Sequence, residues 1–363
     1  MPDRLKNKAA IVTGSGTREG EGTGVGRAIA TLFASEGAQV MVVDRDAGNA
    51  QITTDALNKE GLSCQLCVAD VSNVEDCERM VVEAEKAFGK VDTLVNAVGI
   101  GAGGRVTDLE EAYYQHVMDV NLKSMVFASK AAVRSMEANG GGSIIHIASI
   151  DGIRAGFSEN IPYAAAKAGA IGITPSMAVH HGRQGIRVNC IAPGHIYTPM
   201  VNSITPEMRE LRRKAGPLGV EGTAWDVAWA AVYLASDEAR WVTGVLLPVD
   251  AGVLSATPLA SSHSFKSIST PAKALLLMVL PVMVTLVEST RMSPKPTRAK
   301  GPPPVLLQVS LIILPLSAAS ARLFLMPMPT PPTPLMVLLL IVKLPSASRF
   351  LNPTPTCGPW SKT

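Results

Sequence analysis

The stretch that decides the fold of this chain is residues 8–30, KAAIVTGSGTREGEGTGVGRAIA. Its first six residues, KAAIVT, are rich in apolar and β-branched side chains, which predicts a buried strand. Six glycines follow, and an amphipathic helix is expected over residues 27–35. A glycine-rich turn between a strand and a helix lets the backbone approach a phosphate group, which the helix N-terminus attracts. This segment therefore predicts a loop that binds the diphosphate of a dinucleotide through Gly14, Gly24 and Gly26.

An acidic residue ends the next predicted strand. That strand is QVMVV at 39–43, and Asp44 follows it, 18 residues beyond Gly26. In a dinucleotide site, a carboxylate at this place accepts hydrogen bonds from the adenosine ribose and repels a 2′-phosphate. We therefore expect NAD to be preferred over NADP. Arg45 argues for NADP, since a neighbouring guanidinium neutralises a 2′-phosphate.

The alternation of β-branched strands and helical stretches continues to about residue 255. Strands buried on both faces read as continuous apolar runs, and helices between them indicate parallel pairing. We predict a doubly wound α/β fold of the Rossmann type in one domain, residues 1–255, with a seven-stranded parallel sheet and helices on both faces. The strands are expected at 8–13, 39–43, 64–69, 91–95, 143–148, 187–191 and 245–249. The helices are expected at 27–35, 48–60, 75–88, 110–138, 162–181 and 223–235.

Charge changes sharply after residue 255. The chain has 33 basic and 30 acidic residues, but ten of the basic residues and only Glu288 among the acids lie in 256–363. The first 255 residues therefore carry a net charge near −6, which speaks against a nucleic-acid-binding surface there. The amino terminus lacks the apolar stretch of a secretory signal, and an odd number of cysteines, five, does not make a disulfide framework. Both observations favour the cytoplasm.

Tyr163 and Lys167 form a second constellation, in the sequence YAAAK. On a helix, positions i and i+4 share a face, so the phenol and the ammonium group project into the same cleft. A nearby cation stabilises a phenolate and is expected to lower the pKa of the tyrosine from about 10. Such a tyrosine is a general acid and base suited to interconverting an alcohol and a carbonyl group. The spacing alone is also common in helices without a catalytic role.

Residues 5–254 resemble the short-chain dehydrogenase/reductase family along their whole length. The resemblance begins with the glycine-rich loop and continues through short motifs in the same order as in the family. The matched residues are Asp70-Val71, Asn96-Ala97-Val98-Gly99, Asn121, Ser149, Tyr163, Lys167, Pro193-Gly194, Thr198 and VTGVLLPVDAG at 242–252. The resemblance implies an NAD(P)-dependent oxidoreductase that acts on alcohols or carbonyl compounds.

The resemblance also implies a role for each matched residue. Tyr163 would be the catalytic acid and base, Lys167 would lower its pKa and hold the nicotinamide ribose, and Ser149 would hold the substrate oxygen. Asn121 would support Lys167 through a water molecule and complete the catalytic set. The implied cofactor contacts are the loop glycines, Asp44, Asp70 and Val71 at the adenine, Asn96 along the cleft, Tyr163 and Lys167, and Ile196 and Thr198 at the carboxamide. No metal is implied, and the histidines lack metal-ligand spacing.

Two departures from the family pattern concern loops. Nine residues separate Gly14 from Gly24, where the family usually has three, and Ser149 precedes Tyr163 by 14 residues. The loop after Ser149 and residues 196–222 are expected to build the substrate pocket. Its apolar residues would be Phe157, Ile161, Met200 and Met208, which suit a small, mainly apolar molecule such as a cyclic alcohol or ketone.

The family commonly pairs long helices across a twofold axis. A homodimer or homotetramer formed through residues 110–138 and 162–181 is therefore implied. A different class of function is a protein that binds NAD(P) as a sensor or scaffold without turnover. Loss of Tyr163 or Lys167 would favour that alternative, and both residues are present.

Residues 256–363 are rich in Pro, Leu and Ser and show no steady period of 2.0 or 3.6 residues. We expect this tail to be irregular or disordered rather than folded as a domain. We interpret it as a segment foreign to the enzyme, read from another frame or left unspliced. A disordered basic extension is one alternative. A membrane anchor is another, although the longest apolar run, 305–321, contains Gln308 and Pro315.

Overall fold

The computed structural model describes residues 3–18, 20–101, 103–156 and 158–256, and the backbone of residues 321–323 and 340–342. The chain divides into two compact units, Met1–Ala274 and Leu275–Thr363. In the second unit, strands Ala321–Leu323 and Leu340–Val342 pair antiparallel. The rest of the tail, for which an irregular structure is expected, lies outside the described residues.

A seven-stranded parallel sheet is the centre of the first unit. Its strands are β1 (Ala9–Thr13), β2 (Gln39–Asp44), β3 (Cys64–Val68), β4 (Thr93–Asn96), β5 (Gly142–Ile147), β6 (Ile186–Pro193) and β9 (Leu246–Val249). They are arranged in the order β3-β2-β1-β4-β5-β6-β9, and every neighbouring pair is parallel. Two short strands, β7 (Ile196–Tyr197) and β8 (Gly222–Thr223), pair beside this sheet. The predicted doubly wound α/β fold is confirmed, with each of the seven predicted strands in place.

Helices cover both faces of the sheet. They are α1 (Val25–Ser35), α2 (Ala47–Lys59), α3 (Val74–Phe88), α4 (Glu111–Met118), α5 (Ser124–Ala138), α6 (Ile161–His181), α7 (Pro206–Ala215) and α8 (Ala224–Ala235). One core cluster joins the sheet to α1, α2 and α8, and a second joins it to α3 and α5. In the described residues, no helix is both long and apolar enough to cross a membrane.

The sequence of the central strand, β1, does not alternate between apolar and polar residues because both of its faces are covered. All five residues of β1 are buried. Ala10 and Val12 belong to the cluster under α1 and α8, whereas Ile11 belongs to the cluster under α3 and α5. Because successive side chains of a strand point to opposite faces, a strand covered on both sides must be apolar throughout.

The strand order reverses direction between β1 and β4. In a doubly wound sheet, the loops that leave the carboxyl ends of the strands on either side of this reversal enclose a crevice, where ligands bind. The predicted site residues lie at or beyond the carboxyl ends of strands on both sides of this reversal, β1, β2 and β3 on one side and β4, β5 and β6 on the other. The fold therefore places these residues around one crevice.

Two helical features differ from the prediction. The single helix expected at 110–138 is interrupted by a π-helical turn, Asp119–Lys123, between α4 and α5. Helix α7 was not predicted, because its sequence, PEMRELRRKA, is strongly charged and buries none of its residues. A helix without a buried face leaves no apolar period to detect. It is nevertheless capped, since the Thr205 hydroxyl accepts a hydrogen bond from the Met208 N–H.

Candidate active site

Ser149 and Tyr163 belong to two elements that follow β5. Ser149 is the N-cap of a short 3₁₀ turn, Ile150–Gly152, and its hydroxyl accepts a 3.1 Å hydrogen bond from the Asp151 N–H. Tyr163 lies in the first turn of α6, next to Pro162, which occupies a position where proline breaks no helical hydrogen bond. The Ser149 hydroxyl acts to lower the pKa of the Tyr163 phenol, as a polar group beside it does. The structure therefore brings together these two predicted residues.

Lys167 lies one turn after Tyr163 on α6 and is buried. Its Nζ donates a 2.8 Å hydrogen bond to the carbonyl of Ile147, at the end of β5. The same nitrogen is 5.6 Å from the centre of the Tyr163 ring. Burial lowers the pKa of Lys167 to about 8, although the nearby Cys190 thiol acts in the opposite direction. Lys167 thus places a poorly solvated cation beside the phenol, as the spacing predicted.

The pKa of Tyr163 lies above its ordinary value of 10. Burial is the main cause, the Ser149 hydroxyl acts against it, and the Asp151 carboxylate adds to it. The sequence led us to expect the opposite direction, through stabilisation of the phenolate by Lys167. The structure differs because the Lys167 ammonium is bound to the Ile147 carbonyl, and the loss of water around the phenol is the larger effect.

Asn121 is buried within the π-helical turn. Its amide binds the backbone of Ile100 at both ends: Oδ1 accepts from the N–H at 2.8 Å, and Nδ2 donates to the carbonyl at 3.1 Å. A Cβ on Gly99 would stand 3.3 Å from Asn121 Oδ1 and 3.4 Å from Lys167 Nζ. Asn121 and Lys167 therefore converge on Gly99, and the Asn121 side chain fixes the loop after β4 beside them.

The three loop glycines have three different surroundings. Gly14 adopts a left-handed φ of 66° directly after β1. A Cβ on Gly26 would collide with the Gly14 carbonyl, so α1 passes this loop at a distance that only glycine allows. Gly24 caps α1 and has open space where a Cβ would stand. Because Gly24 has no side chain, the space next to the first N–H groups of α1 is open to an anion.

Asp44 ends β2, as predicted, and lines a cavity of about 490 Å³. Its carboxylate accepts hydrogen bonds from the N–H groups of Gly16 and Asp46, both at 3.1 Å. Arg18, in the lengthened loop, also lines this cavity. It was not predicted, because it is distant in sequence from the end of β2. The lining residues are Arg18, Asp44, Arg45, Asp46, Asn49 and Ile100.

Three other predicted cofactor residues are engaged by the protein itself. The Asp70 carboxylate accepts hydrogen bonds from the N–H and the hydroxyl of Ser72, at 3.0 and 2.7 Å. Val71 is buried in the core cluster under α3. Asn96 is buried too, and its Nδ2 donates to the Ser129 hydroxyl on α5 at 3.2 Å. Because this side chain is directed toward α5, any contact of Asn96 with a cofactor would come from its backbone.

Comparison with known proteins places the chain in one family. A family model described as enoyl-(acyl carrier protein) reductase matches residues 20–254. The chain is 37% identical over 255 residues to a 3-oxoacyl-[acyl-carrier-protein] reductase of Chlamydia muridarum, across 70% of this chain and 100% of the relative. It is 35% identical over 248 residues to a (2S)-[(R)-hydroxy(phenyl)methyl]succinyl-CoA dehydrogenase subunit of Thauera aromatica, across 68% and 97%. A crystal structure described as a short-chain dehydrogenase/reductase of Burkholderia xenovorans is 39% identical, with a TM-score of 0.67, across 70% of this chain and 100% of that one. The chain belongs to the short-chain dehydrogenase/reductase family.

In this short-chain dehydrogenase/reductase, the loop after β6 forms the other side of the crevice. Ile196 lies in β7, whose pairing with β8 fixes the backbone of the loop. Thr198 is buried and is the N-cap of a 3₁₀ turn, Pro199–Val201. Both predicted carboxamide contacts are therefore held in a short, well-anchored segment.

The apolar residues expected in the substrate pocket of the dehydrogenase are open to solvent. Ile161, Met200 and Met208 are 37%, 44% and 47% exposed. Phe157 lies outside the described residues. Three large apolar side chains at this exposure, in the two segments that flank the crevice, provide apolar surface for a ligand.

A basic group beside the crevice was not predicted from the sequence. Arg212, on α7, is partly buried and donates to the Ile196 carbonyl at 3.3 Å, and it has no carboxylate within 4 Å among the described residues. His195 Nδ1 is buried and lacks a hydrogen-bond partner there. Burial, Arg212 and Arg154 lower the pKa of His195. Both His195 and Arg212 line a cavity of about 190 Å³. The signal in the sequence is a histidine directly after Pro193-Gly194, in the segment that carries Ile196 and Thr198.

Metal binding has no support in the part of the chain that the structure describes, where no three His, Cys, Asp or Glu side chains are grouped to hold an ion. His146 is buried on β5, with Nδ1 3.1 Å from Asn96 Nδ2. Burial, with a smaller effect of Lys167, lowers the pKa of His146 to about 4. His146 is therefore a neutral side chain packed inside the first unit.

Proposed function

We propose that this protein is an NAD(P)-dependent oxidoreductase that interconverts a secondary alcohol and a ketone on a small, mainly apolar molecule. The observation that carries the proposal is the arrangement of Ser149, Tyr163 and Lys167 at the carboxyl end of β5. Two hydroxyl groups at the same end of β5, backed by a buried ammonium group, provide two donors for one substrate oxygen. One of the two also exchanges a proton with that oxygen.

Tyr163 is the proton-transferring residue in this proposal. In reduction, Tyr163 Oη donates a proton to the carbonyl oxygen while the Ser149 hydroxyl holds that oxygen. The raised pKa of Tyr163 keeps the phenol protonated at neutral pH, which suits this direction. In oxidation, the phenolate accepts the alcohol proton, so the rate of oxidation is expected to rise with pH. Lys167 acts as a positioning residue that holds positive charge 5.6 Å from the ring.

The residues around the crevice fit a nicotinamide dinucleotide. Gly14 and Gly26 allow the backbone to approach a diphosphate closely, and Gly24 leaves the N-terminus of α1 open. Asp44 lies beside a cavity of about 490 Å³ that would take the adenosine. When bound, the nicotinamide supplies or accepts the hydride. Lys167, with Ile196 and Thr198 opposite, would hold its ribose and carboxamide.

NAD is the proposed preferred cofactor, and the position of Asp44 supports it. The hydrogen bonds from Gly16 and Asp46 fix this carboxylate at the end of β2, where it would repel a 2′-phosphate. Arg18 and Arg45 line the same cavity and support NADP as the alternative. Titration with NADH and with NADPH, followed by nicotinamide fluorescence, separates the two. Tighter binding of NADPH would assign the selection to the arginines.

The proposed substrate has an apolar body. The exposed side chains of Ile161, Met200 and Met208 support this choice. The Thauera relative acts, by its name, on a compound with a hydroxy(phenyl)methyl group, which is a secondary alcohol beside a ring. Arg212 and His195 add a basic group at the edge of the crevice. A polar or negatively charged substituent on the apolar body would find a partner there.

The test combines a substrate panel with one substitution. The full-length protein is assayed with NADH and NADPH against cyclic and aryl ketones, and then as Tyr163→Phe. We expect the variant to bind the nucleotide as wild type does and to lose turnover by about 10²–10⁴-fold. Tyr233→Phe, which removes a hydroxyl from a 36% exposed tyrosine on α8, is the matched control and should keep full activity. Full activity of Tyr163→Phe would contradict the mechanism.

The alternatives make different predictions in the same experiments. A sensor or scaffold would bind NADH or NADPH tightly and turn over no member of the panel. A reductase held to a membrane through its tail would float with lipid vesicles as the full chain and not as residues 1–255. We favour the soluble enzyme, placed in the cytoplasm, because the catalytic side chains are assembled within the first unit.

We also propose that residues 1–255 are the catalytic domain and that it forms a homodimer or homotetramer. Helices α4, α5 and α6 expose large apolar side chains, which supports pairing of these helices between subunits. The exposed residues are Tyr113, Tyr114, Val126 and Val179. Light scattering of the full chain and of residues 1–255 tests both points. A monomeric 1–255 fragment with full activity would overturn the assembly and keep the domain assignment.

A further inference from the structure

The lengthened loop between β1 and α1 is attached at its first half to α2. The Thr17 N–H donates to the Asn49 carbonyl at 2.9 Å. The hydroxyl groups of Thr17 and Thr53 are 3.0 Å apart. This half of the loop therefore belongs structurally to the adenosine side of the crevice, where Asn49 also lines the larger cavity.

The second half of the loop reaches the opposite side of the crevice. The Tyr197 hydroxyl donates to the Glu21 carboxylate at 3.2 Å, and Arg209 lies 3.6 Å from the same carboxylate. Gly22 runs along the backbone of β7, because its Cβ would stand 3.6 Å from the Tyr197 carbonyl. A Cβ on Gly20 would collide with Asn202, which follows the 3₁₀ turn. The loop thus contacts the segment that carries Ile196 and Thr198.

The partners of Glu21 are held in place by one another. The Arg209 guanidinium lies 3.6 Å from the centre of the Tyr197 ring. It also binds both carboxylate oxygens of Glu221, at 2.7 and 2.6 Å. Stacking and a two-point ion pair fix the direction of an arginine more tightly than a single contact does. Tyr197 and Arg209 therefore form a rigid receiving surface for Glu21.

Exposure limits what the Glu21 contacts contribute to stability. The Glu21 side chain is 70% exposed, and exposed ion pairs contribute at most about 1 kcal/mol to folding. Breaking a contact of that size changes a rate by at most about fivefold. A contact this weak adds little to the stability of the fold, but it is suited to a loop that opens and closes repeatedly.

We propose that residues 20–22 are a strap that closes the outer side of the nucleotide crevice, and that Glu21 is the positioning residue that holds the strap against Tyr197 and Arg209. The proposal rests on the proposed nucleotide binding. A nucleotide that lies between Gly24 on one side and Thr198 on the other must pass the strap to enter or leave. Opening the strap breaks contacts between residues of the chain only. A contact that does not involve the ligand slows entry and exit alike and leaves the affinity nearly unchanged.

The experiment measures both rates. Association and dissociation of NADH, or of NADPH if it binds more tightly, are followed by stopped-flow fluorescence with the full chain. Glu21→Gln is expected to raise both rate constants by about three- to fivefold and to change Kd by less than twofold. Tyr197→Phe keeps the ring under Arg209, removes the hydroxyl and should raise both rates by a smaller factor. Adding it to Glu21→Gln should raise the rate constants by less than the product of the two single effects, because both changes weaken the same contact.

A matched control is available on the same helix as Arg209. Glu210 pairs with Arg213 and Lys214 and does not touch the loop. Glu210→Gln removes a surface ion pair of the same kind and should leave both rate constants at the wild-type values. Thermal unfolding of each variant checks that the fold is intact.

Three results would overturn the strap. Unchanged rates in Glu21→Gln would show that Glu21 does not limit nucleotide exchange. A faster dissociation with a proportionally weaker Kd would show that Glu21 contacts the nucleotide itself. Additive effects of Glu21→Gln and Tyr197→Phe would show that the two residues act separately. Wild-type protein that binds neither nucleotide would refute the proposed function, and the strap with it, whereas the first three results leave that function intact.

Discussion

Replacing Lys167 by methionine should change how the stability of the protein depends on pH. Burial lowers the pKa of Lys167 in the folded protein to about 8, below the ordinary value of 10.5 that applies to the unfolded chain. Between these two values the unfolded chain binds more protons than the folded protein. The free energy of unfolding of wild type therefore rises with pH in this window. The difference between the two pKa values corresponds to about 3 kcal/mol, at 1.36 kcal/mol for a tenfold change in acidity.

The variant lacks this group, so wild type is expected to gain about 3 kcal/mol relative to Lys167→Met between pH 7 and pH 10.5. At pH 7 the variant escapes the cost of a buried charge but leaves the Ile147 carbonyl without its hydrogen bond, which costs about 1–3 kcal/mol. The two proteins should thus have similar stability at pH 7 and diverge above pH 8.

Urea unfolding of both proteins, followed by tryptophan fluorescence at several pH values from 7 to 10.5, measures the divergence. Lys130→Met, which removes a solvent-accessible lysine on α5, is the control and should run parallel to wild type. Parallel curves for wild type and Lys167→Met would refute the reasoning, because they would mean that Lys167 titrates alike in the folded and unfolded states.

Four further substitutions test the architecture of the site. Gly26→Ala places a methyl group against the backbone after β1 and should lower the free energy of unfolding by about 3 kcal/mol. The methyl group of Gly24→Ala meets open space, so this variant should change the free energy of unfolding by less than about 0.5 kcal/mol. Gly24→Ala should, however, weaken NADH binding. Equal stability of these two variants in urea would contradict the packing described. Gly99→Ala should lower kcat by roughly tenfold or more with NADH still bound, because its methyl group would stand only 3.3 Å from Asn121 Oδ1 and press on the side chain that lies beside Lys167. A wild-type kcat would argue against that contact. Thr223→Ala removes the capping box of α8 and should cost about 1 kcal/mol in thermal unfolding without a change in NADH affinity, and an altered affinity would count against a purely structural role.

The fold could be predicted because its sheet is buried on both faces. Strands such as β1 carry an unbroken apolar sequence, and the helices between them carry an apolar stripe. Both patterns can be recognised in the amino-acid sequence. Helix α7 could not be predicted in this way. It buries none of its residues, and the cap at Thr205 and the ion pairs that stabilise it are made by polar side chains. Its sequence therefore shows no hydrophobic period. The π-helical turn was not predicted either, because one additional residue in a helical turn does not change the amino-acid composition of the helix.

The site was predictable in its residues and less so in their surroundings. The positions of Ser149, Tyr163 and Lys167 followed from short motifs, and the structure brings them together. The pKa of Tyr163 did not follow, because it depends on how much water the fold removes from the phenol, which spacing does not encode. The direction of Asn96 toward α5 depends likewise on a partner, Ser129, that is distant in sequence.

The π-helical turn at Asp119–Lys123 constrains the number of residues in this part of the chain as well as their identity. A π turn holds one residue more than an α turn, so it rotates the following helix by about 100° relative to an uninterrupted one. Within this turn Asn121 contacts Ile100, and beyond the turn Ala128 and Ala132 of α5 are buried against the sheet. Deleting a single residue here would straighten the helix, but it would turn either Asn121 away from the crevice or α5 away from the sheet. The register of the core and that of the crevice are therefore set at the same turn.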